Sequence, residues 1–204
     1  DIFGLSNGQT RSKHYSNMRV KDWSYIGATG SSVGIWVVRD NNEGASGGPF
    51  YRCLLNQCTS TDQEITYIVN YGEAQTEAFR FNVLNAYTLV CTTGGTPSTS
   101  IDTSWFSSMG LNGYVAASGR GRVTAVGISG RDTAYTYTVG FANSTAQYWA
   151  TAAASNGYFN CTGMRPGTYT MTIYKNELAV WTGSVTVTAG GTVALNTIAI
   201  TADP

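Results

Sequence analysis

The sequence predicts an all-β protein, and three observations indicate this fold class. The chain of 204 residues contains 24 glycines and 13 tyrosines, together with many Thr, Ser and Val residues, which is typical of strands joined by tight turns. Short apolar or alternating runs recur along the chain, separated by turn-forming residues. No helical periodicity of useful length is present, except that Asp102 is expected to cap a single turn over 102–109.

The N-terminal 92 residues contain few predicted strands. The run Val33–Val38 is almost continuously apolar, which is typical of a strand buried on both faces, and Glu64–Asn70 and Ala86–Cys91 are similar in length. So few strands do not close a sheet core, and apolar surface should stay exposed unless something covers it. We therefore expect a partner for this region, either the remainder of a longer polypeptide or a second copy of the chain.

A linker and a second domain are predicted after this region. Residues 93–100 combine Gly94, Gly95 and Pro97 with small polar residues, which is typical of a linker. Residues 101–204 then show short alternating strands with turn signals about every ten residues, which predicts an immunoglobulin- or fibronectin-type sandwich. The predicted strands are Gly113–Ala117, Arg122–Val126, Tyr135–Val139, Gln147–Ala150, Thr168–Tyr174, Leu178–Trp181, Gly183–Val187 and Val193–Leu195.

The charge content excludes several classes of partner. The net charge is zero and only 12% of residues are charged, whereas a nucleic-acid or anionic-membrane binder needs clustered Lys and Arg. No apolar run approaches the roughly 18 residues of a spanning helix. No signal peptide is recognisable at the N-terminus, so we expect either that it was removed or that the chain begins inside a longer one.

The cysteines and two glycosylation motifs suit an oxidising, extracellular location. The four cysteines are Cys53, Cys58, Cys91 and Cys161. The hairpin-like segment 53–58 can close on itself, but four cysteines allow three connectivities, and four buried free thiols are the alternative. One His and no Cys-x-x-Cys pair argue against zinc. The acceptors Asn143 and Asn160 lie in Asn-x-Ser/Thr triplets, so we expect a secreted glycoprotein.

Five ordered motifs carry a resemblance to a known family. They are Gly8–Ser16, Ser46–Arg52, Gly72–Glu77, Gly113–Gly121 and Met164–Met171. Together they resemble the fungal rhamnogalacturonan lyases, the type B enzymes of polysaccharide lyase family four, over essentially the whole chain. The resemblance implies that residues 1–92 are the C-terminal portion of a large antiparallel catalytic β-sandwich and that residues 101–204 are the fibronectin-like domain. It also implies cleavage of rhamnogalacturonan I between rhamnose and galacturonic acid by β-elimination, without a metal or other cofactor.

β-Elimination removes the C5 proton of a uronic acid and expels the sugar on O4. That proton is weakly acidic because the adjacent carboxylate is already negative, so the enzyme must neutralise the carboxylate and offer a base. In Thr-Arg-Ser-Lys, Lys13 stands at the position of the family's catalytic lysine. A lysine ammonium is a compact charge suited to this neutralisation. A solvated lysine on a basic turn is the alternative.

The base is the point at which this sequence departs from the family. Relatives carry Gly-His-x-Gln-Thr-Glu, in which the His acts, whereas this chain has Glu73 at that position. A carboxylate can serve as the base if burial raises its pKa. Two further interpretations stay open, namely that His14 or Tyr71 takes the proton, and that the site is inactive.

Further residues are candidates for binding the substrate. Arg11, His14 and Tyr71 lie within or beside the motifs, and Arg80 can pair with a uronate carboxylate through two hydrogen bonds. Trp23, Tyr25, Trp36 and Tyr67 could stack on sugar rings, but such side chains are more often part of a sandwich core. A non-catalytic carbohydrate-binding module and a purely structural sandwich are the competing functions, because the fold alone does not separate them.

Overall fold

The structure of the chain is a computed structural model, which describes residues 2–4, 6–8, 10–12, 24–45, 48–50, 54–58, 61–68, 80 and 84–201. Regular structure in these ranges consists of sixteen β-strands and three short 3-10 helices. The predicted all-β fold class is therefore confirmed. No helix in the described ranges is long and apolar enough to cross a membrane.

The chain divides into two compact units. The first comprises residues 1–79 and 85–102, and the second comprises residues 80–84 and 103–204. Residues 93–100, the predicted linker, contain neither strand nor helix. The short segment 80–84, which was expected in the first domain, groups with the second unit instead.

The first unit contains three small antiparallel sheets in its described part, and their orders are β1-β2, β3-β4-β7 and β5-β6. A 3-10 turn lies at Gly48–Phe50. A small apolar core is formed by Ile26, Ala45 and Leu54, against which Val37, Ile65 and Tyr67 pack. The strands are β1 (Ile2–Gly4), β2 (Thr10–Ser12), β3 (Tyr25–Gly30), β4 (Val33–Arg39), β5 (Leu54–Cys58), β6 (Gln63–Tyr67) and β7 (Tyr87–Thr92).

One face of the β3-β4-β7 sheet is apolar and largely uncovered. Side chains alternate along β4, so Val33, Ile35 and Val37 share a face. Val37 packs against the core, but Val33 and Ile35 are 47% and 44% exposed, so the expectation that this strand is buried on both faces is wrong. On β7, Leu89 pairs with Val37, and Leu89 and Tyr87 are 61% and 59% exposed. Because paired residues lie on the same side of a sheet, Val33, Ile35, Tyr87 and Leu89 form one surface, called here the apolar face.

The second unit contains the remaining nine strands. Its two larger sheets have the orders β11-β10-β13-β14 and β12-β8-β15, and β9 and β16 form a short pair. Two further 3-10 turns lie at Ser104–Ser108 and Ala117–Gly119. The strands are β8 (Gly121–Ala125), β9 (Ile128–Ser129), β10 (Tyr137–Ala142), β11 (Gln147–Thr151), β12 (Phe159–Met164), β13 (Gly167–Lys175), β14 (Leu178–Val187), β15 (Thr192–Leu195) and β16 (Ile198–Ala199).

The core of the second unit lies between its two larger sheets. On β13, Tyr169, Met171 and Ile173 alternate inward and are almost completely buried, and Val123 on β8 and Phe159 on β12 belong to the same apolar cluster. Burying one large apolar side chain of this kind contributes about 1.5–3 kcal/mol. The second unit is therefore a closed two-layer sandwich, and the prediction of a fibronectin-like β-sandwich is confirmed.

The structure corrects two of the predicted strand assignments, and it contains strands that were not predicted, among them β3, β5 and β12. Gly113–Ala117 is not a strand, since this stretch runs through turns into the 3-10 helix that begins at Ala117. Leu178–Val187 is one continuous strand rather than two. A glycine is needed at position 183 because a Cβ there would collide with the indole of Trp181, so Gly183 accommodates the tryptophan and does not interrupt the strand.

Two further details were not anticipated. Thr103, not Asp102, occupies the N-cap position of the helix Ser104–Ser108, and it makes no side-chain cap hydrogen bond. The last strands β15 and β16 pair in parallel with β8 and β9. Parallel and antiparallel edge strands share the same alternation of side chains, so this pairing direction could not be read from the pattern.

A buried tyrosine fixes the turn that leads into β13. The Tyr169 hydroxyl donates a hydrogen bond of 2.8 Å to the Arg165 carbonyl, four residues earlier in the chain. The Tyr148 hydroxyl accepts a hydrogen bond of 3.0 Å from the Arg165 N–H, and the rings of Tyr148 and Tyr169 meet edge to face at 5.8 Å. A tyrosine whose hydroxyl bonds to the backbone a few residues upstream is a hallmark of immunoglobulin-type sandwiches.

We predict that Tyr169→Phe lowers the free energy of unfolding by about 1–3 kcal/mol, because the part-buried Arg165 carbonyl loses its donor. Urea denaturation followed by tryptophan fluorescence measures this change. Tyr158→Phe is the matched control, since Tyr158 is 46% exposed. Equal unfolding midpoints for the two variants would contradict a stabilising role of the Tyr169 hydroxyl.

Candidate functional site

The residues predicted to perform the chemistry lie outside the described part of the chain. This holds for Lys13, His14, Tyr71 and Glu73. Arg11 is described at the level of the backbone only, where it pairs with Phe3 between β1 and β2. The predicted juxtaposition of Lys13 and Glu73 therefore stays a prediction.

The strands that precede the two catalytic candidates belong to neighbouring sheets. Strand β2 ends at Ser12, immediately before Lys13, and β6 ends at Tyr67, a few residues before Glu73. Strand β5 pairs with β6 along Leu54–Cys58, and β2 lies beside β5. The first unit thus brings into one neighbourhood the two strands that lead to the candidate cation and the candidate base.

Arg80 has a different role from the one predicted for it. It is only 6% exposed, and its Nε donates a hydrogen bond of 3.2 Å to the carbonyl of Asn143, with a longer contact of 3.5 Å from Nη1 to Oε1 of Gln147. Asn143 and Gln147 flank the turn between β10 and β11. A buried guanidinium engaged in this way is not available to a substrate carboxylate. The assignment of Arg80 to substrate binding is therefore corrected to a structural role in the second unit.

The two glycosylation candidates lie in different surroundings. The Oδ1 of Asn143 accepts hydrogen bonds of 2.8 Å from the N–H groups of Thr145 and Ala146, and its Nδ2 donates to the Thr168 carbonyl at 3.1 Å. This side chain shapes the β10–β11 turn, and a glycan on Nδ2 would disturb it. Asn160 is exposed on β12 and is the more accessible acceptor.

The cysteines do not form all the disulfides that were considered. Cys91 is a free and exposed cysteine on β7, and Cys161 is a free and buried one on β12. Burial raises the pKa of the Cys161 thiol to about 12. The structure therefore shows no disulfide at Cys91 or Cys161. Cys53 lies outside the described residues, and Cys58 is described at the level of the backbone only.

Trp36 is a half-buried aromatic on the other side of the β3-β4-β7 sheet from the apolar face. A Cβ on either Gly27 or Gly34 would collide with its indole, so the ring lies flat over two glycines. Its Nε1 donates a hydrogen bond of 3.1 Å to Oγ1 of Thr92, and the Tyr25 ring meets it edge to face at 5.6 Å. The ring is thus held in one orientation outside the small apolar core, as a sugar-stacking platform would be.

The other large aromatic residues divide between core and surface. Tyr67 packs against the core of the first unit. Trp181 packs against the core of the second unit, and Trp149 is half-buried. Trp105 is 55% exposed. Trp23 lies outside the described residues.

Two arginines of the second unit were not among the predicted site residues. Arg120 and Arg122 line a surface pocket of the sandwich. The signal was present in Gly119-Arg120-Gly121-Arg122, which places two of the chain's 12 basic residues in a glycine-rich run.

Comparison with known protein families identifies the class of the chain. Residues 1–113 match the family model described as rhamnogalacturonan lyase B, N-terminal, and residues 117–195 match the model described as polysaccharide lyase family 4, domain II. The chain therefore belongs to the rhamnogalacturonan lyases of polysaccharide lyase family 4.

Individual relatives agree with this assignment. Rhamnogalacturonate lyase A from Emericella nidulans is 42% identical over 96% of this chain, and the enzyme of that name from Aspergillus aculeatus is 41% identical over the same share. The chain spans 37% of the length of each of these two relatives. Among solved structures, the Bacillus anthracis TIE protein aligns with a TM-score of 0.31 at 11% identity, covering 88% of this chain and 26% of that one, which is too weak to carry an argument.

We predict that Arg80→Met lowers the free energy of unfolding by about 1.5–3 kcal/mol, because hydrogen bonds from a buried guanidinium to the β10–β11 turn are lost. The matched control is Arg122→Met, an exposed arginine of the same unit, for which a change within about 0.5 kcal/mol is expected. Urea denaturation compares the two. An unchanged midpoint for Arg80→Met would contradict the structural role and return Arg80 to the list of substrate-binding candidates.

Proposed function

We propose that this chain is part of a lyase that cleaves the backbone of rhamnogalacturonan I, a pectic polysaccharide, between rhamnose and galacturonic acid by β-elimination. The observation that carries the proposal is the match of residues 1–113 to the rhamnogalacturonan lyase B model, since these residues contain both catalytic candidates. Relatives named rhamnogalacturonate lyase support it. Because the chain spans 37% of their length, we expect the activity to reside in a longer polypeptide.

Lys13 is the proposed electrostatic catalyst. Loss of the C5 proton places a second negative charge next to an existing carboxylate, and a cation held close to that carboxylate stabilises this charge in the transition state. Arg11 lies two residues earlier, on β2. We propose that it binds the same acidic substrate, because a guanidinium matches the geometry of a carboxylate.

Glu73 is the proposed base, in place of the histidine that the family motif has at this position. A glutamate can accept the C5 proton at neutral pH if desolvation raises its pKa. The alternative acceptors His14 and Tyr71 lie beside the two motifs in sequence, and an inactive site is the third possibility. The neighbouring positions of β2, β5 and β6 support a single site that Lys13 and Glu73 both reach.

A non-catalytic carbohydrate-binding module is the second candidate function. The observation that favours it is the Trp36 indole, which is half-buried and fixed over Gly27 and Gly34. A rigid, partly exposed aromatic ring is suited to stacking on a sugar ring. Such a module would bind the polysaccharide without depending on Lys13.

The partner and the cellular location follow from the same proposal. The apolar face of the first unit consists of four exposed apolar side chains that lie together. Contiguous apolar surfaces of this kind mark interfaces. We propose that the remainder of a longer polypeptide covers it, with a second copy of the chain as the alternative. A secreted, extracellular enzyme glycosylated at Asn160 is proposed from the triplet at that residue and its exposure.

The test is the lyase activity of a longer polypeptide that contains this chain. Eliminative cleavage of rhamnogalacturonan I produces an unsaturated uronic acid that absorbs ultraviolet light, and homogalacturonan should give no such signal. We predict that Lys13→Ala abolishes the signal, because the substrate carboxylate is no longer neutralised. Lys175→Ala, on the second unit, is the matched control and should retain activity.

The base is tested in the same assay. Glu73→Gln should abolish the activity if Glu73 takes the proton, and should leave most of it if His14 or Tyr71 does. Activity that survives Lys13→Ala would contradict the proposed site. A polypeptide that binds the polysaccharide but never cleaves it would favour the binding module instead.

A further inference from the structure

The second unit carries a surface pocket that no part of the proposed lyase mechanism uses. It has a volume of about 390 Å³, within the range of about 300–1,000 Å³ typical of small-molecule sites. Its described lining consists of two arginines, two threonines, one alanine and four glycines, and contains no acidic residue. The pocket is therefore positively charged in a chain whose net charge is zero.

Arg122 is the arginine of this pocket whose charge is accessible to a ligand. It is exposed on β8, and its Nε donates a hydrogen bond of 2.8 Å to Oγ1 of Thr192 on the paired strand β15. Within the described residues its two terminal nitrogens have no hydrogen-bond partner, so they can face a ligand. The bond to Thr192 fixes the plane of the guanidinium while leaving its outer edge open, which is the geometry for accepting a carboxylate through two hydrogen bonds.

Arg120 forms a fixed wall of the same pocket. Its Nε donates to the Val115 carbonyl at 2.9 Å, and its Nη1 donates to the Gly163 carbonyl at 2.8 Å. These bonds hold its positive charge beside Arg122 and tie the segment before β8 to strand β12. Arg120 therefore contributes a positive charge at a fixed position, whereas Arg122 has N–H donors that can bind a ligand.

A β-bulge in β12 forms another side of the pocket. The register of β12 and β8 shifts between the pairs Cys161–Val123 and Met164–Gly121. Two residues of β12, Thr162 and Gly163, therefore stand opposite one residue of β8, Arg122. Bulges of this kind re-aim side chains next to binding sites. Gly163 has a φ of +70°, and a Cβ there would meet no heavy atom within 4 Å, so the space above it is open.

The remaining lining suits a hydroxylated ligand. Thr162 and Thr192 present hydroxyl groups that can donate to or accept from sugar hydroxyls. Gly190 and Gly191, in the turn between β14 and β15, add no side chains, which lets a ligand ring approach the backbone. Two cations, two hydroxyl groups and a bare glycine floor together match the chemistry of an acidic sugar, which carries one carboxylate and several hydroxyl groups.

We propose that this pocket is a second saccharide site, in which Arg122 binds the carboxylate of a uronic acid residue of the polysaccharide. The choice of a uronic acid over another oxyanion rests on the proposed function. The site lies on the second unit and takes no part in bond cleavage. It would hold the acidic polymer to the protein independently of Lys13.

The experiment is a titration of the 204-residue chain with an oligosaccharide of alternating rhamnose and galacturonic acid, followed by NMR of the backbone amides. We expect the amide signals of Gly121, Arg122, Gly163 and Gly191 to shift. Arg122→Gln should raise the dissociation constant at least about tenfold, because charge-assisted hydrogen bonds are lost. The affinity should also fall as salt is raised.

Two matched controls sharpen the result. Lys175→Gln removes one positive charge at the end of β13, where Lys175 pairs with Leu178 at the start of β14. The pocket lies beyond the other end of β14, about 30 Å away at roughly 3.3 Å per residue, so this change should leave the dissociation constant unchanged. The carboxyl-reduced form of the same oligosaccharide keeps the hydroxyl groups and should bind at least about tenfold more weakly. Equal weakening by Arg122→Gln and Lys175→Gln, or equal binding of the reduced sugar, would overturn the proposal.

The outcomes separate this site from the proposed function. If the longer polypeptide cleaves rhamnogalacturonan I but these amides do not shift in the 204-residue chain, only the second site is wrong. If the amides shift as expected and the longer polypeptide has no lyase activity, the pocket stands as an acidic-sugar site and the catalytic assignment falls. Inorganic phosphate that displaces the oligosaccharide at equal concentration would show a general anion site and would overturn the sugar assignment.

Discussion

The constraint on which the structure depends is that every β-sheet has two faces, and each face must meet either water or another layer. In the second unit this constraint is met internally. Side chains from both sheets alternate inward, as Tyr169, Met171 and Ile173 do on β13, and form one closed apolar cluster. In the first unit the described sheets bury only a small core around Ile26 and Leu54. The same alternation that closes the sandwich therefore leaves the apolar face of the first unit in contact with water.

This difference between the two units determines how each of them can hold a binding or catalytic site. A closed sandwich is rigid, so it can hold Arg120, Arg122 and the β12 bulge in a fixed arrangement at its surface. The first unit carries the candidate catalytic residues on segments that follow β2 and β6. A site built on such segments depends on the layers around it for water exclusion and for orientation. A longer polypeptide that covers the apolar face would supply such a layer.

Much of the fold could be predicted from the sequence, and the failures have physical reasons. Strands such as Val33–Arg39 and Gly167–Lys175 were recognised because their side chains are continuously apolar or alternate. Strand β12 was missed because it begins beside Gly157, contains the bulge at Gly163 and has no run of β-branched residues. In the candidate site, Lys13 and Glu73 were predicted from sequence motifs, which do not show where the two side chains lie in space. Arg80 was misassigned because its partners, Asn143 and Gln147, lie more than 60 residues away in sequence.

The central claim, that the apolar face is covered in the native protein, is tested most directly by labelling Cys91. This thiol is exposed on β7, where it pairs with Ile35 of the apolar face. Cys161 is an internal reference, because burial raises its pKa to about 12 and so keeps it in the unreactive thiol form. Iodoacetamide labelling, read peptide by peptide with mass spectrometry, should modify Cys91 readily in the dilute 204-residue chain and much more slowly in a longer polypeptide. Equal rates at Cys91 in the two proteins would contradict the claim.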